Sequence, residues 1–264
     1  MMRNLPGIKK WVDLDQGFSP TVSASKLSQF RNDLAMFVCR YGYNKKSKAS
    51  PAMWRGIMCE DAVVEVLTNQ KKIDQAIEDC QGRYKSTLMI TGMFSETVQK
   101  EFNSLEPIIR NACDALSTYG VPEFAEDGGQ QMIEFDIEED DWSIPGIGYL
   151  DLVFPNGQII DLKTSNVAPT EMSPDHMMQR AFYKTAKDNY DVKFLYVTPK
   201  KTALLEDGDV VDVMKDVKVL IKQLDNFCNN LTPDQARKCI PIAESKFNFY
   251  WKGEDELKNF YRKD

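Results

Sequence analysis

No uninterrupted run of 18 apolar residues occurs in the sequence, so no segment is expected to cross a bilayer as a helix. The opening MMRNLPGIKKWVDLDQ lacks an apolar h-region and a small-residue cleavage site, so no signal peptide is expected. No CxxC pair is found. The six cysteines (Cys39, Cys59, Cys80, Cys113, Cys228 and Cys239) are scattered, which points to reduced thiols in a cytoplasmic compartment. Several of them fall on helical apolar faces, where packing is their default role. The absence of GxxxxGK[ST] excludes a P-loop motor. Surplus positive charge is missing too: 33 Lys and Arg against 40 Asp and Glu give a formal charge of −7. That balance argues against a large surface that coats nucleic acid without specificity. It does not exclude a cluster of acidic groups whose charge is offset by bound ions.

What is present is a chain of 264 residues, 42% hydrophobic, enough for one large domain or a core with a helical insertion. Its most informative stretch is GIGYLDLVFPNGQIIDLKTS, residues 146–165. Two apolar runs flank Pro155-Asn156-Gly157, the sequence of a three-residue hairpin loop with a G1 bulge. Such a loop pairs Phe154 with Gln158, and counting outward sets Asp151 opposite Asp161. Opposed side chains lie about 5 Å apart on one face, and like charges there destabilise a sheet. Lys163 projects from the same face by the strand period. A solvated hairpin face is the simple alternative, but Leu150, Leu152, Val153, Ile159, Ile160 and Leu162 are too apolar for an exposed ribbon. The pattern calls for a compensating cation, so a metal site is expected here.

The first 22 residues read as a loosely patterned arm. From Ser23 or Ser25 a helix is predicted, with Leu27, Phe30, Leu34, Phe37, Val38 and Tyr41 at helical spacing. The lysines of residues 44–48 are either solvated charge or a phosphate contact. A second helix opens with Ser50 as N-cap and Pro51 at its first position. Its seam runs Met53, Ile57, Glu60, Val64, Leu67, which sets Glu60 among apolar residues; Asp61 and Glu65 fall off it. A carboxylate there needs a partner, either an Arg or Lys or a metal ion. More helix follows over 71–119, with Pro107 expected to start a fresh helix closed by Gly120, and no chemistry is visible in it. Residues 123–130 read as a turn or flexible loop, 131–137 as a half-exposed strand and 138–142 as a solvated acidic turn.

Ser173-Pro174 opens another helix, to about residue 189, in which His176, Gln179 and Tyr183 share a face apart from the apolar Met178, Phe182 and Ala186. Residues 194–197 form a predicted buried strand, completing a β-α-β crossover, and 202–206 a candidate edge strand. A long amphipathic helix carries Val213, Val217, Leu220, Ile221, Leu224 and Phe227. The tail holds the aromatic cluster Phe247-Asn248-Phe249-Tyr250-Trp251, read as core rather than a base-stacking platform, and a charged final helix.

Several of these pieces together resemble the RecB-like branch of the PD-(D/E)xK nuclease superfamily. They are Gly56 four residues before Glu60, Gly148-Tyr149-Leu150-Asp151, Asp161-Leu162-Lys163-Thr164-Ser165, and Gln179 with Tyr183. Many relatives also begin with a Ser-x-Ser-x-Leu helix that ends in cysteine, as Ser23-Ala24-Ser25-Lys26-Leu27 and Cys39 do here. The resemblance runs from about Ser23 to Thr198, with the helical block at about 70–130 as an unmatched insertion and a C-terminal helical extension from about 207. It implies a single α/β domain with a restriction-endonuclease-like αβββαβ core, a mixed central sheet flanked by helices. Many relatives carry histidine where Glu60 stands, but a carboxylate is still a hard oxygen ligand. The iron–sulfur subset adds three clustered C-terminal cysteines to the one at the Cys39 position. Here the tail offers only Cys228 and Cys239, eleven apart, so no cluster is expected.

The resemblance further implies a metal-dependent deoxyribonuclease, an exonuclease of recombination, repair or phage DNA metabolism, in the cytoplasm of a bacterium or phage-infected host. Glu60, Asp151 and Asp161, with the Leu162 carbonyl, would hold Mg²⁺ or Mn²⁺ rather than zinc. Lys163 would orient the attacking water or stabilise the phosphate, and Gln179 and Tyr183 would position Lys163, a water or a DNA phosphate. His176 is either a phosphate contact or a surface histidine without a role. DNA is the implied partner, with a helicase or a single-strand annealing protein as a further one; strand separation would have to come from a partner, and no membrane partner is implied. An endonuclease, a subunit of a larger recombination complex, and an inactive DNA-binding module of the same fold are the alternatives.

Overall fold

The computed structural model describes residues 5–12, 20–126, 128–139, 141–243 and 249–263. The chain starts with α1 (Pro6–Val12), so the expected loose arm contains a helix; Ile8 and Trp11 are buried in the core. Residues 1–4 and 13–19 of that arm lie outside the described residues. Next come β1 (Val22–Ser23), α2 (Ala24–Asn32), α3 (Leu34–Phe37) and a π-turn over Val38–Gly42. The single helix expected from Ser23 onward is therefore broken. Asp33 is extended, and its carboxylate accepts from the Met36 N–H at 2.9 Å and from the Trp251 indole at 2.9 Å. Aspartate competes well for backbone donors at a helix start, so it restarts the helix one residue on.

α4 (Pro51–Leu67) begins as expected, with the Ser50 hydroxyl accepting from the Met53 N–H. Its seam is not the expected one. Arg55, Cys59, Ala62 and Val63 are buried, whereas Met53 and Ile57 are 52% and 56% exposed. Glu60 sits half-buried at the border of that face. α5 (Ile73–Thr91) ends on Gly92 in the left-handed region, and α6 (Glu96–Leu116) is capped by Ser95. Pro107 lies inside α6 and starts no new helix. Val98, Leu105, Ile108, Ile109, Ala112 and Leu116 continue one buried face across it. Burial of that face offsets the roughly 3 kcal/mol an interior proline costs. Ser117 is the C-cap, and Gly120, with φ of 93°, lies just beyond it.

The strands follow. β2 (Gln131–Glu139) and β3 (Trp142–Leu150) pair antiparallel from Gln131↔Leu150 to Glu139↔Trp142. The acidic turn is thus shorter than expected, because Glu138 and Glu139 are ladder residues; Asp140 lies outside the described residues. β4 (Leu152–Phe154) and β5 (Gln158–Thr164) are joined by the expected three-residue loop. Phe154 pairs with Gln158, the Gly157 N–H donates to the Phe154 carbonyl at 3.0 Å, and Gly157 takes φ of 81°. After α7 (Pro174–Ala186), β6 (Asp191–Val197) lies parallel to β5, and β7 (Thr202–Leu205) closes the edge. The orders are β1-β3-β2 and β4-β5-β6-β7. β3 and β4 are one strand interrupted at Asp151, where the sheet divides in two.

The architecture is α/β, mixed sheets flanked by helices, as expected from the sequence. Counting β3 and β4 together, α4, the strands, α7 and β6 follow in the order αβββαβ. Alternate residues of β5 and β6 serve two cores. Ile159, Phe194 and Tyr196 face α2, α7 and α8 (Val210–Asn230), whereas Ile160, Leu162, Leu195 and Val197 face α4, α5 and α6. Both strands are therefore sandwiched, which explains their near-continuous apolar sequence. The chain ends with α9 (Pro233–Cys239), a 3₁₀ turn Phe249–Trp251 and α10 (Asp255–Arg262). Of the tail aromatics, Trp251 is buried core, and Phe247 and Asn248 lie outside the described residues.

Candidate active site

The division of the sheet at Asp151 creates the site. With the β4 ladder ending at Leu152, the Leu162 N–H has no strand partner on that side. The Asp151 Oδ2 takes the donor instead, at 2.9 Å. In a strand the N–H and C=O of one residue point to the same edge, so the Leu162 carbonyl projects toward Asp151 as well. Asp161 lies one residue earlier on β5, with its side chain fully buried. Its Oδ1 accepts from Gln179 Nε2 at 2.9 Å, and its Oδ2 is ion-paired with Lys163 Nζ. That oxygen receives no well-directed hydrogen bond from any described residue. Lys163 projects from the same face, two residues on, with its ammonium 5.4 Å from the centre of the Phe194 ring.

α7 supplies the opposite wall. Gln179 Nε2 also reaches the Tyr183 hydroxyl, at 2.5 Å, and that hydroxyl donates to the Tyr149 carbonyl at 2.6 Å. Tyr183 is buried, so of the two options its spacing left, solvation or hydrogen bonding, it is hydrogen-bonded. Its approach requires Gly148: a Cβ there would stand 3.0 Å from Tyr183 Cε1. Gly56 has no such constraint, since a Cβ would meet the Thr164 hydroxyl at an ordinary 3.6 Å. His176 is half-buried, stacked on Phe194 with centroids 5.7 Å apart, and its Nδ1 is 2.6 Å from the Tyr196 hydroxyl. Burial pushes Tyr196 up to about 12, so the phenol keeps its proton beside Nδ1. Burial, and then Lys163, lower the histidine pKa. The neutral ring is favoured over the cation there.

Glu60 enters from α4, and among the described residues its hydrogen-bond partner is Gln130 rather than an Arg or Lys. Gln130 Nε2 donates to Glu60 Oε1 at 2.7 Å and to Asp151 Oδ1 at 2.9 Å, so one amide group bridges the two carboxylates. Gln130 was not recognisable beforehand, because a polar residue after Gly128-Gly129 reads as loop. The buried arginine of α4 is Arg55, ion-paired with Glu101 of α6 and donating to the Thr164 carbonyl at 3.1 Å. The helical block thus reaches the end of β5, although no chemistry was visible in its sequence.

The electrostatics are those of crowded acids. The Asp151 carboxyl is held well above the usual range, first by burial, then by Asp161 and Glu60. Glu60 is raised by burial and by Asp161, against the opposing Gln130 hydrogen bond. Burial alone would lower Lys163, but Asp161 and Asp151 outweigh it and hold the ammonium charged. The donor set for a cation is the oxygens of Glu60, Asp151 and Asp161 and the Leu162 carbonyl, which suits a hard divalent ion. The buried Asp161 Oδ2 and the raised carboxyls fit such an ion. Among the described residues no three His, Cys, Asp or Glu side chains are drawn together as a closed metal cluster. Gln130 and Lys163 lie among the carboxylates instead.

Five of the six cysteines are buried and Cys239 is exposed. No helix among the described residues is long and apolar enough to cross a membrane.

No protein-family model matches the chain, and no curated protein sequence matches it. Among solved structures it is similar to one described as "Putative exonuclease" from Eubacterium rectale, at TM-score 0.47 and 12% identity over 80% of this chain and 82% of that one. It is also similar to SSO0001, at TM-score 0.38 and 14% identity over 82% of this chain and 84% of that one. Likenesses this distant carry nothing about chemistry to this chain.

Proposed function

We propose that this protein is a metal-dependent DNA nuclease of the PD-(D/E)xK type, of its RecB-like branch, which hydrolyses phosphodiester bonds as an exonuclease. The observation that carries the reading is the buried Asp161–Lys163 pair beside Asp151, with Gln179 and Tyr183 hydrogen-bonded behind it. A stabilising salt bridge does not call for two further acids around one lysine. Phosphoryl hydrolysis does, because it needs a charged donor next to oxygen ligands for a cation. Mg²⁺ or Mn²⁺ held by Glu60, Asp151, Asp161 and the Leu162 carbonyl would supply Lewis-acid activation of water and charge neutralisation at the phosphate.

The chain's own residues do the rest. Lys163 carries the charge that stabilises the pentacoordinate phosphate and the leaving oxygen. Gln179 fixes the rotamer of Asp161 and, through Tyr183, ties α7 to β3, so that Asp151 and Asp161 face each other at a constant separation. Asp151 keeps the Leu162 amide satisfied at the break in the sheet. His176, one turn before Gln179 on α7, is placed for a phosphate contact. The expected setting is DNA recombination, repair or phage DNA metabolism, with a helicase or annealing protein as partner.

An assay on end-labelled linear and on circular DNA, each with Mg²⁺ or with EDTA, tests the reading. Loss of linear but not circular DNA, only with Mg²⁺, is expected. Cleavage of circles would make it an endonuclease, and binding without cleavage would leave an inactive module.

A further inference from the structure

Gln130 stands one step beyond the β2–β3 ladder. The two strands pair as far as Gln131↔Leu150, so the register continued by one residue sets Gln130 across from Asp151, where the sheet divides. Opposed side chains on one face are about 5 Å apart, within reach of a glutamine. Its Nε2 lies 2.9 Å from Asp151 Oδ1 and 2.7 Å from Glu60 Oε1. The other oxygen of Asp151 is engaged by the Leu162 N–H, and Asp161 by Gln179 and Lys163. Gln130 itself is exposed, at the wall of a cleft of about 770 Å³ that Asp151 and Gln179 also line. It follows a turn closed by the Gly128 N–H on the Ala125 carbonyl at 2.8 Å, and it precedes the first ladder pair. Its side chain can therefore leave the carboxylates for water while the ladder stays intact.

We infer that Gln130 is a positioning residue that competes with the cation. Its amide holds Glu60 to Asp151 through the oxygens a cation needs, and it must turn out into the cleft before both acids can take one ion. The inference rests on the metal-dependent reading above. Two oxygens that reach one nitrogen at 2.7 and 2.9 Å converge on one point. Hard cations take oxygens at about 2.0–2.6 Å, so an ion shared by Glu60 and Asp151 falls close to the place of that nitrogen. The two bridges exclude each other, because the amide hydrogens carry positive partial charge and point at the same oxygens. Hydrogen bonds to a carboxylate are among the stronger ones, and giving up two of them lowers the affinity for the ion. A neutral amide suits this place. It draws the acids together and is still displaced by a divalent ion, whereas an ammonium would form ion pairs with both acids and hold the ion off.

Titration of the full chain with Mn²⁺, the unbound ion followed by EPR and no DNA present, tests this without turnover. Gln130→Met keeps the length of the side chain and removes both donated hydrogen bonds. It should bind Mn²⁺ about tenfold tighter, the scale of one net hydrogen bond to a charged group. Its metal-free Tm should fall, because Glu60 and Asp151 then face each other without a donor between them. A role confined to the end of the ladder would lower Tm and leave Mn²⁺ affinity as it was. In ¹H–¹⁵N spectra the Gln130 amide pair, identified by its loss in the variant, should move to the positions of solvent-exposed glutamines when Mg²⁺ is added. Unchanged or weaker Mn²⁺ binding by Gln130→Met, or an amide pair that stays in place in saturating Mg²⁺, overturns the inference and leaves the nuclease reading standing. Tighter binding by the variant of a protein that never cleaves DNA in Mg²⁺ sustains the inference and overturns the nuclease reading instead. No Mn²⁺ binding by either protein overturns both.

Discussion

At the scale of single residues, Lys163 decides between chemistry and mere neutralisation. A lysine is no ligand for a hard cation, so Lys163→Ala should abolish turnover yet retain Mn²⁺ binding, with the loss chiefly in kcat. Lys163→Arg should recover little, because a planar fork does not replace a compact ammonium packed against Asp161 and the Phe194 ring. Single-turnover rates with Mn²⁺ affinity measured alongside settle it; near-normal turnover by the arginine variant would mean that Lys163 only balances charge. His176 is the sole histidine, so one NMR titration reports it alone. Burial and Lys163 place its folded pKa below the ordinary 6.5, with Asp161 and Asp175 pulling weakly the other way. The unfolded chain then takes up the proton more readily. Stability from this ring is fully present above pH 6.5 and is lost as pH falls through the folded value. His176→Gln should remove that acid-side loss, and a titration midpoint above 6.5 would contradict the assignment.

At the scale of elements, β5 is held from three sides: by the ladder with β6, by Asp151 on the Leu162 amide, and by Arg55 on the Thr164 carbonyl. Arg55 and Glu101 are 4% and 6% exposed. Removing one partner leaves a buried charge alone, so Arg55→Ala should cost about 3–5 kcal/mol in urea unfolding, and Arg55→Met with Glu101→Leu should restore much of it. A loss below about 1 kcal/mol for Arg55→Ala would mean that water reaches the pair. The hairpin and its Phe154↔Gln158 register were legible because Pro-Asn-Gly has few conformations open to it. Ser50-Pro51 and Ser173-Pro174 marked two helix starts for a similarly local reason. The seam of α4 was not legible. Met53, Ile57, Val64 and Leu67 are regularly spaced, but the side that α5 and α6 cover is a tertiary fact. Gln130 and Arg55 were hidden for the same reason, since each acts across some tens of residues or more of chain.

At the scale of the whole molecule, the divided sheet sets Asp151 beside Asp161, and α4 brings Glu60 to Asp151 through Gln130, at some expense of stability; a cation should change that balance. Asp151→Asn keeps an acceptor for the Leu162 amide while removing charge. Without metal it should raise Tm, about 2–4 °C for a relief near 1 kcal/mol. A fall in Tm would mean that the Asp151 charge is already compensated by Lys163. For the wild type, Mg²⁺ at a hundredfold excess over its Kd should add about 2.7 kcal/mol, on the order of 5–10 °C. The Asp151 and Glu60 carboxyls are raised in the folded chain, so the metal-free stability these two groups contribute is fullest at acid pH and is lost as pH rises through their folded values. The Asp151–Asp161–Lys163 grouping could be read in advance from one hairpin and its alternation, whereas the α/β layout came from the resemblance that those residues carry together with Glu60, Gln179 and Tyr183. The route by which Glu60 joins them, through Gln130, depends on how a helical block folds back over β5.

The most direct test of the account is single-turnover hydrolysis of an end-labelled DNA strand by wild type and Asp161→Asn, side by side in Mg²⁺ and in EDTA. Asparagine keeps the shape of the side chain that Gln179 holds but removes the charge opposite Lys163. Mg²⁺-dependent hydrolysis by the wild type, absent in EDTA and lowered at least about a thousandfold in the variant, is the expected result. Wild-type protein that leaves the strand intact in Mg²⁺, or an Asp161→Asn variant that cleaves as fast, would contradict it.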